Sequence, residues 1–240
     1  MITGRYHSFE TFGAVDGPGI RTVVFLQGCP ARCLYCHNPD TWENNGGSEI
    51  DTKTIVDRAK RGITYYGKEG GVTFSGGEPL VQGEFLVQTM GALKKVGINS
   101  IIDTSGTYID EYTEAVVREC QMLLLDVKHP NPQRFKQIAG CKQNTLLELI
   151  DLINKYDKPV WIRHVVVPTI NDTKEDIFEL NEFMKKVKRI DKVELIPYHT
   201  MAAKKYIKMG IRNRLEGLPA MNKEELEKLK QYLVVPGKNK

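Results

Sequence analysis

The sequence has none of the marks of an exported, membrane-spanning or nucleic-acid-binding protein. No apolar run approaches the roughly 18 residues that a membrane-spanning helix needs, and the first ten residues lack the charged-then-apolar order of a secretion signal. The 34 Lys and Arg residues only slightly exceed the 30 Asp and Glu residues, and they are scattered along the chain. We therefore expect a cytoplasmic protein that binds neither membrane nor nucleic acid. Its Lys-rich end, expected to be a solvated tail, comprises Lys228, Lys230, Lys238 and Lys240.

Cysteine is scarce, with five residues in 240. An odd number in a chain without an export signal argues against a disulfide framework. Cys29, Cys33 and Cys36 lie within eight residues of one another, whereas Cys120 and Cys141 are isolated and are expected to be free thiols. The close spacing of the first three is the earliest indication of chemistry in the chain.

The pattern of apolar residues predicts alternating strands and helices. Hydrophobic residues make up 41% of the chain and charged residues 27%, which suits an α/β domain with a sizeable core. No internal repeat, low-complexity tract or linker stands out, so we expect a single domain over residues 1–240. Short runs rich in Val, Ile and Leu with little alternation indicate strands buried on both faces of a parallel sheet. These runs are residues 22–26, 71–74, 99–102, 122–127, 160–167 and 192–196.

Amphipathic stretches between these runs predict helices. The clearest covers residues 173–188, where apolar side chains recur at helical spacing and Asp172 is expected to cap the first turn. The others are residues 52–66, 84–96, 110–119, 146–156 and 223–233. Six strands alternating with helices fit either a doubly wound open sheet or a partial barrel, and periodicity does not choose between them.

Polar side chains cluster where the predicted strands end. In both of these folds, ligands bind at the carboxyl ends of the strands. The cysteines follow the first run, and the later runs contribute the segments 75–79, 103–106, 126–128, Arg163 and 197–199. The sequence therefore predicts one large site to which six strand ends contribute.

The spacing of the three cysteines, C-x3-C-x2-C followed by His37, allows four interpretations. A zinc site would need His37 as its fourth ligand, but adjacent Cys36 and His37 would be strained around one ion. A c-type haem attachment motif and a thioredoxin-like pair of Cys33 and Cys36 would each leave Cys29 without a role. An iron–sulfur cluster held by three thiolates uses all three cysteines and leaves one iron free for a small molecule, so we favour it.

These motifs carry a family resemblance. The three-cysteine spacing after a first strand is similar to that of the radical S-adenosylmethionine (SAM) superfamily, and residues 76–78 resemble its second common motif. Residues 16–21 resemble the opening motif of the glycyl-radical-enzyme activases within that superfamily. Three further segments are similar to the same activases: residues 33–42, 161–168 and 194–199. The resemblance covers nearly the whole chain from Gly4 and implies an open partial (β/α)6 barrel with the cluster at its carboxyl-terminal rim.

The resemblance implies an activity and its cofactors. Cys29, Cys33 and Cys36 would hold three irons of a [4Fe–4S] cluster, and the fourth iron would bind the amino and carboxylate groups of SAM. One electron from the reduced cluster would split SAM into methionine and a 5′-deoxyadenosyl radical. That radical would abstract a hydrogen atom from a glycine Cα of a partner enzyme under anaerobic conditions. A flavodoxin or ferredoxin is the usual electron donor in this family, and we expect a monomer.

One absence narrows the expected partner. Many activases of other glycyl radical enzymes carry an inserted ferredoxin-like segment with extra cysteines, and no cysteine lies between Cys36 and Gly76. Activases of anaerobic ribonucleotide reductase lack that segment but are typically much shorter, so the expected partner is pyruvate formate-lyase. Residues 16–21 would form a mobile lip against its glycine loop, with Asp16 as a substrate-binding residue. The alternatives are an activase of another glycyl radical enzyme and a non-catalytic cluster-binding regulator, which has no need of the second set of motifs.

The resemblance also assigns SAM-binding residues position by position. The expected set is Tyr35, Cys36, His37, Gly76, Gly77, Glu78, Asp126, Val127, Lys128, Arg163 and His199. Tyr35 and His37 would meet the adenine end of SAM, and Gly76 and Gly77 would leave room for its amino group. Glu78 could instead cap the helix that follows it.

The charged residues at the strand ends suggest a bound cation. Asp103 and Asp126 would repel each other beside the carboxylate of SAM unless a monovalent or divalent cation, together with Lys128, relieved the repulsion. The alternative is that Asp126 simply pairs with Lys128. Arg163 lies in an apolar strand and needs an anionic partner, either the SAM carboxylate or an internal acid.

Overall fold

All strands within the described residues join one open sheet. The computed structural model describes residues 2–236, so Lys238 and Lys240 of the predicted tail lie outside the described residues. The described strands are β1 (Thr3–Gly13), β2 (Arg21–Leu26), β3 (Ser48–Asp51), β4 (Gly71–Gly76), β5 (Asn99–Thr104), β6 (Leu123–Asp126), β7 (Val160–Val166) and β8 (Ile190–Pro197). Their order across the sheet is β3-β1-β2-β4-β5-β6-β7-β8.

The six predicted strands are confirmed as a parallel array. Strands β2 and β4 to β8 pair with one another in parallel, in the order of the chain. Most of their Val, Ile and Leu side chains are buried, as expected for strands covered on both faces. Strands β3 and β8 are edges, so the sheet does not close on itself and the predicted open α/β fold is confirmed. The parallel direction brings all six carboxyl ends to one side of the sheet.

Strands β1 and β3 correspond to no predicted run. They pair antiparallel to each other, and β1 also pairs antiparallel to β2. Side chains along β1 are mostly exposed or half-buried, and its register against β2 shifts between Glu10 and Gly13, where Phe12 has a φ of 67°. An edge ribbon of this kind has no continuous apolar run, so a search for such runs misses it.

Nine α-helices occur within residues 2–236. They are α1 (Thr52–Arg61), α2 (Ile63–Tyr66), α3 (Gly83–Lys95), α4 (Thr113–Glu119), α5 (Pro132–Ala139), α6 (Asn144–Lys155), α7 (Lys174–Met184), α8 (Ala203–Met209) and α9 (Lys223–Lys230). Helices α5 and α8 are short and were absent from the predicted set. Across the described residues, every helix is too short or too polar to reach through a bilayer.

Two predicted helix starts are corrected by their capping contacts. Helix α4 begins at Thr113 rather than at Asp110, because the Asp110 carboxylate accepts hydrogen bonds from the backbone of Tyr112 and Thr113 at 3.0 and 3.1 Å. Helix α7 is capped by Thr173 rather than Asp172: Thr173 and Asp176 form a reciprocal capping box.

Residues 16–21 pack closely against the start of β4 and are anchored at one end by Arg21. Gly19 has a φ of 69°, and a Cβ built there would lie 2.5 Å from the backbone nitrogen of Gly70, so glycine is required for this close approach. Arg21, at the end of the segment, is fully buried. Its guanidinium donates five hydrogen bonds, to Thr73 Oγ1 (2.7 Å), Asn99 Oδ1 (2.6 Å) and the carbonyls of Pro18 (3.0 Å), Glu69 (2.9 Å) and Val72 (3.0 Å). Burial lowers the pKa of Arg21 to about 10, which still leaves it charged at neutral pH.

We predict that Arg21→Met lowers the free energy of unfolding by about 3 kcal/mol or more, because it leaves several buried acceptors without a donor. Denaturant unfolding of the metal-free protein measures the change. Arg61→Met is the matched control, since Arg61 is exposed on α1 and its loss should cost less than about 0.5 kcal/mol. Equal effects of the two substitutions would contradict an anchoring role for Arg21.

Candidate active site

The loop that carries the three cysteines is held in place by backbone hydrogen bonds. It follows β2, and Cys29 N donates to Trp42 O at 3.1 Å. On its other side, Arg32 N and Leu34 N donate to the carbonyls of Ala139 and Ile138, the last residues of α5, at 2.8 and 2.9 Å. These contacts fix the path of the loop without using a thiol group.

The three thiols face one cavity of about 250 Å³. Burial raises the pKa of Cys29 and of Cys33 to about 12, and it also raises the pKa of Cys36. Without a metal all three are therefore protonated, and iron must displace their protons on binding. In the described part of the chain, no three His, Cys, Asp or Glu side chains are grouped to hold a single metal ion.

Gly76 and Gly77 line this cavity, and both are needed for close packing. Gly76 has a φ of 107°, and a Cβ there would lie 2.4 Å from the carbonyl oxygen of Leu26. A Cβ on Gly77 would lie 2.2 Å from the carbonyl oxygen of Gly28. The two glycines therefore allow the end of β4 to approach the start of the cysteine loop.

The side chain of Glu78 lies outside the lining of the cavity, and its contact with SAM stays a prediction. Its carboxylate is fully buried and accepts hydrogen bonds from Thr104 Oγ1 (2.6 Å), Ser105 N (3.0 Å) and Ser105 Oγ (2.9 Å). It also caps the short 3₁₀ helix Pro79–Gln82 through Leu80 N at 3.3 Å, as the alternative reading expected. Burial raises the pKa of Glu78 although these donors oppose the shift. The side chain therefore shapes the loop after β5 that lines the cavity.

Two ion pairs at the strand ends balance the charges of the cavity. The Arg163 guanidinium contacts Asp103, whose other oxygen accepts a hydrogen bond from Ser75 Oγ at 2.7 Å. Lys128 Nζ lies 2.7 Å from Asp126. The anionic partner of Arg163 is thus an internal acid, and the simple Asp126–Lys128 pair is present.

Electrostatics keep the Asp126–Lys128 pair ionised. Burial opposes the charge on Asp126, but attraction to Lys128 and Arg163 outweighs it and lowers the pKa of Asp126. Burial likewise opposes the charge on Lys128, and attraction to Asp126 raises the pKa of Lys128 well above its usual value. The repulsion expected between Asp103 and Asp126 is therefore relieved by protein cations.

A buried network of hydrogen bonds stabilises the backbone at the end of β6. Val127 is fully buried and lies outside the lining of the cavity, and its predicted contact with SAM stays a prediction. Its carbonyl accepts a hydrogen bond from His164 Nδ1 at 2.6 Å, and His164 Nε2 lies 2.9 Å from Asn171 Nδ2. Burial is the main cause that lowers the pKa of His164 to about 4, so the ring is neutral. The network fixes the backbone between Asp126 and Lys128.

The segment after β8 meets the cysteine loop beside the cavity. The rings of His37 and His199 are stacked with centroids 3.9 Å apart, and His37 Nε2 donates to His199 O at 3.2 Å. Tyr35 lines the cavity, with Lys128 Nζ 5.3 Å from the centre of its ring. His37 follows β2 and His199 follows β8, so the fold brings together predicted site residues from the two outermost strands of the parallel array.

Unpaired polar atoms concentrate around this cavity. Within residues 2–236, six buried side-chain nitrogen or oxygen atoms have no hydrogen-bond partner. Three of them belong to side chains that line the cavity: Tyr35 Oη, Asp126 Oδ1 and Arg163 Nε. A fourth, His199 Nδ1, belongs to the ring stacked on His37. Because buried polar atoms are normally paired, this concentration indicates a polar ligand.

Several residues that line the cavity were not among the predicted site residues. They are Ala31, Asn38, Thr41, Trp42, Ser75, Thr104, Ser105, Val165 and Ile196. Ser75, Thr104 and Ser105 stand at strand ends whose polar character was noticeable, but nothing singled out each residue. Asp16, by contrast, is half-buried outside the lining, and its backbone carbonyl accepts a hydrogen bond from Thr73 Oγ1 at 2.7 Å. Burial, followed by repulsion from Asp103 and Glu10, raises the pKa of Asp16.

Comparisons with known proteins define the class. The family model of the Radical SAM superfamily matches residues 23–181, which span β2 to α7. A radical SAM methyltransferase from Sphaerobacter thermophilus has the same fold, with a TM-score of 0.63 at 19% identity over 89% of this chain and 63% of that chain. The fold and the three-cysteine loop are therefore those of a radical SAM protein.

Close relatives narrow the class to one family. A pyruvate formate-lyase-activating enzyme from Clostridium pasteurianum is 44% identical over 97% of this chain and 98% of its own length. A pyruvate formate-lyase 1-activating enzyme from Escherichia coli K12 is 38% identical over 97% and 96%. The crystal structure of a domain of such an enzyme from Bacteroides vulgatus has a TM-score of 0.55 at 26% identity, over 68% of this chain and 92% of that chain. The chain belongs to the pyruvate formate-lyase-activating enzyme family.

We predict that Glu78→Gln lowers the free energy of unfolding by about 2 kcal/mol, because an amide cannot accept all the hydrogen bonds that the carboxylate accepts. The loop after β5 should also be less ordered, and SAM affinity of the cluster-loaded protein should fall. Denaturant unfolding and equilibrium binding of SAM measure the two effects. Glu84→Gln, at an exposed position of α3, is the control and should change neither quantity. Unchanged stability and affinity in Glu78→Gln would show that the contacts of Glu78 are dispensable.

Proposed function

We propose that this protein activates pyruvate formate-lyase by generating a radical on one of its glycine residues. The observation that carries the proposal is the single cavity that joins three thiols to the unpaired atoms Tyr35 Oη, Asp126 Oδ1 and Arg163 Nε. Family membership supports the choice of substrate, since the relatives from Clostridium pasteurianum and Escherichia coli are named for that activation.

Cys29, Cys33 and Cys36 would hold the [4Fe–4S] cluster. When bound, the cluster and SAM supply a one-electron reductive cleavage that yields a 5′-deoxyadenosyl radical able to abstract a glycine hydrogen atom. The protein's own part is to orient the reactants and to exclude water. The three thiols line a cavity formed by the cysteine loop and the strand ends, with Cys33 buried and Cys29 and Cys36 half-buried.

The unpaired groups suit the functional groups of SAM. Arg163 Nε and Lys128 offer donors to a carboxylate, and Asp126 Oδ1 is an acceptor for an ammonium or hydroxyl group. Tyr35 and the His37–His199 pair offer aromatic faces and a polar atom to the adenine and ribose. Gly76 and Gly77 line the same cavity and have no side chain to block a ligand from their backbone. Cys36 also lines the cavity and lies between Tyr35 and His37 in the sequence.

A cation is a narrower part of the proposal. Arg163 and Lys128 already balance Asp103 and Asp126. A bound SAM carboxylate would add a further negative charge, and Asp126 Oδ1 is free to accept a monovalent or divalent cation at that stage. The cation is therefore expected to bind together with SAM.

Three further expectations belong to the proposal. Asp16 would contact the glycine loop of the partner, supported by its position near the charges of Asp103 and Arg163. The electron would come from a flavodoxin or ferredoxin. The protein would act as a monomer in the cytoplasm.

The decisive experiment is formation of a glycyl radical. Reconstituted anaerobically with iron and sulfide, then given dithionite, SAM and pyruvate formate-lyase, the protein should produce the electron paramagnetic resonance doublet of a glycine Cα radical. Cys29→Ala, Cys33→Ala and Cys36→Ala should each abolish both this signal and the release of 5′-deoxyadenosine. The unaltered protein should bind about four irons per chain, by analogy with cubane clusters.

The matched controls are the two remaining thiols. Cys120→Ala and Cys141→Ala should retain the cluster and the radical, because neither thiol lines the cavity. The protein could release 5′-deoxyadenosine and form a radical on another glycyl radical enzyme but none on pyruvate formate-lyase. That result would assign it a different substrate. Cluster binding without SAM cleavage would favour a regulator.

We predict that SAM affinity depends on the identity of the cation in the buffer. Sodium, potassium and magnesium chlorides at matched ionic strength should give different affinities for the cluster-loaded protein, measured by equilibrium binding. Asp126→Asn should weaken both the affinity and its dependence on the salt, since it removes the charge that would hold the cation. Asp172→Asn, a carboxylate remote from the cavity, should leave both unchanged. Identical affinities in all three salts would argue against the cation.

A further inference from the structure

Residues 203–214 form a strongly basic segment that the site does not use. The segment contains Lys204, Lys205, Lys208, Arg212 and Arg214 and no Asp or Glu. Since the formal net charge of the whole chain is +4, the five cations of this segment leave the remainder of the chain with a net charge of −1. The basic residues that looked evenly scattered in the sequence are therefore locally concentrated.

The solvent side of this segment combines positive charge with apolar surface. On helix α8, Lys204, Ile207 and Lys208 are spaced three and four residues apart and are exposed together on one face. Ile207 and the nearby Met201 are each 80% exposed. Arg212 is also exposed, and across residues 2–236 no carboxylate pairs with Lys204, Lys208 or Arg212. We call this surface, formed by Met201, Lys204, Ile207, Lys208 and Arg212, the basic face.

The opposite side of the same segment is bound to the cysteine loop. Tyr206, buried on the inner side of α8, donates a hydrogen bond from its hydroxyl to the carbonyl of Cys36 at 3.1 Å. Lys205 Nζ contacts Asn38 and Asp40, just beyond the cysteines, at 3.0 and 3.1 Å. The Arg214 guanidinium donates to the carbonyl of Arg32, between Cys29 and Cys33. The basic face is thus carried by a segment that binds the cysteine loop directly.

The basic face does not overlap the cavity. Residues 203–214 contribute nothing to the lining of the cavity that holds the three thiols. A protein docked on this face would leave the cavity free for SAM and for a glycine loop. In the proposed function an electron must reach the cluster while the cavity is occupied, so the electron donor needs a separate route of this kind.

We propose that the basic face docks an acidic one-electron carrier protein and that the electron enters through the cysteine loop next to Cys36. The donor is oxidised by one electron and the loaded protein is reduced by one. The inference rests on the proposed function. Positive charge steers an acidic partner to the face, and Met201 and Ile207 supply the apolar centre that a specific interface needs.

The test exchanges three charges on the basic face and three elsewhere. One variant carries Lys204→Glu, Lys208→Glu and Arg212→Glu. The control carries Lys60→Glu, Lys68→Glu and Lys95→Glu, which change the net charge equally at exposed positions near the opposite ends of the strands. Reduced flavodoxin is the donor probe, and its association with the metal-free and the cluster-loaded protein is measured by titration at low and at physiological salt.

The face variant should lose at least about tenfold in flavodoxin affinity at low salt, and the loss should shrink as salt is added. Its cluster should be reduced by flavodoxin at least about tenfold more slowly, followed by the loss of visible absorbance. Glycyl radical formation driven by dithionite should equal that of the unaltered protein, because the small reductant needs no docking. The control variant should match the unaltered protein in all three measurements.

Three outcomes would overturn the proposal. Equal losses in both variants would mean that net charge alone matters. Unchanged flavodoxin binding in the face variant would place the donor elsewhere. A matching loss of radical formation with dithionite would assign the face to the glycyl radical enzyme instead. If the unaltered protein forms no radical with dithionite, the proposed function fails, whereas flavodoxin binding to the metal-free protein still reports on the face.

Discussion

Charge buried at the carboxyl ends of the strands is the constraint on which this site depends. Arg163 and Asp126 are direct neighbours in the register of β7 and β6, and Asp103 comes from β5. A buried ionic group is costly unless its partners are well placed, so the three strands must keep their register for both ion pairs to survive. The pairs together are neutral, and yet they leave Asp126 Oδ1 and Arg163 Nε unused. A ligand that carries both an acidic and a basic group can bind there without forcing either pair apart.

Much of the fold and part of the site could be predicted from the sequence. The six parallel strands were predictable because buried strands read as apolar runs, and the three cysteines were predictable because their spacing is unusual. The antiparallel ribbon of β1 and β3 was not, since its side chains are largely exposed and follow no simple pattern. The short helices α5 and α8 were not predicted for a similar reason, because each is too short for helical periodicity to stand out.

Two residues beside the cavity lining show what spacing alone does not reveal. Glu78 and Val127 are adjacent to residues that line the cavity, but their side chains are buried among the groups that support it. A motif identifies a stretch of backbone, and the alternation of strand and turn then decides which side chains face the ligand. The partners of Arg163 and Asp126 were open questions for the same reason, because the answer depends on distances between strands that are far apart in sequence.

The way the cysteine loop is held has a consequence for the protein when it is exposed to oxygen. Its backbone is tied to Trp42 and to the end of α5, and the glycines of β4 pack against its start. None of these ties involves sulfur. Oxygen that destroys an exposed iron–sulfur centre would therefore leave a folded host with its three thiols still gathered around one cavity. Rebuilding the cluster would then take iron, sulfide and a reductant for any oxidised thiol, and no new polypeptide.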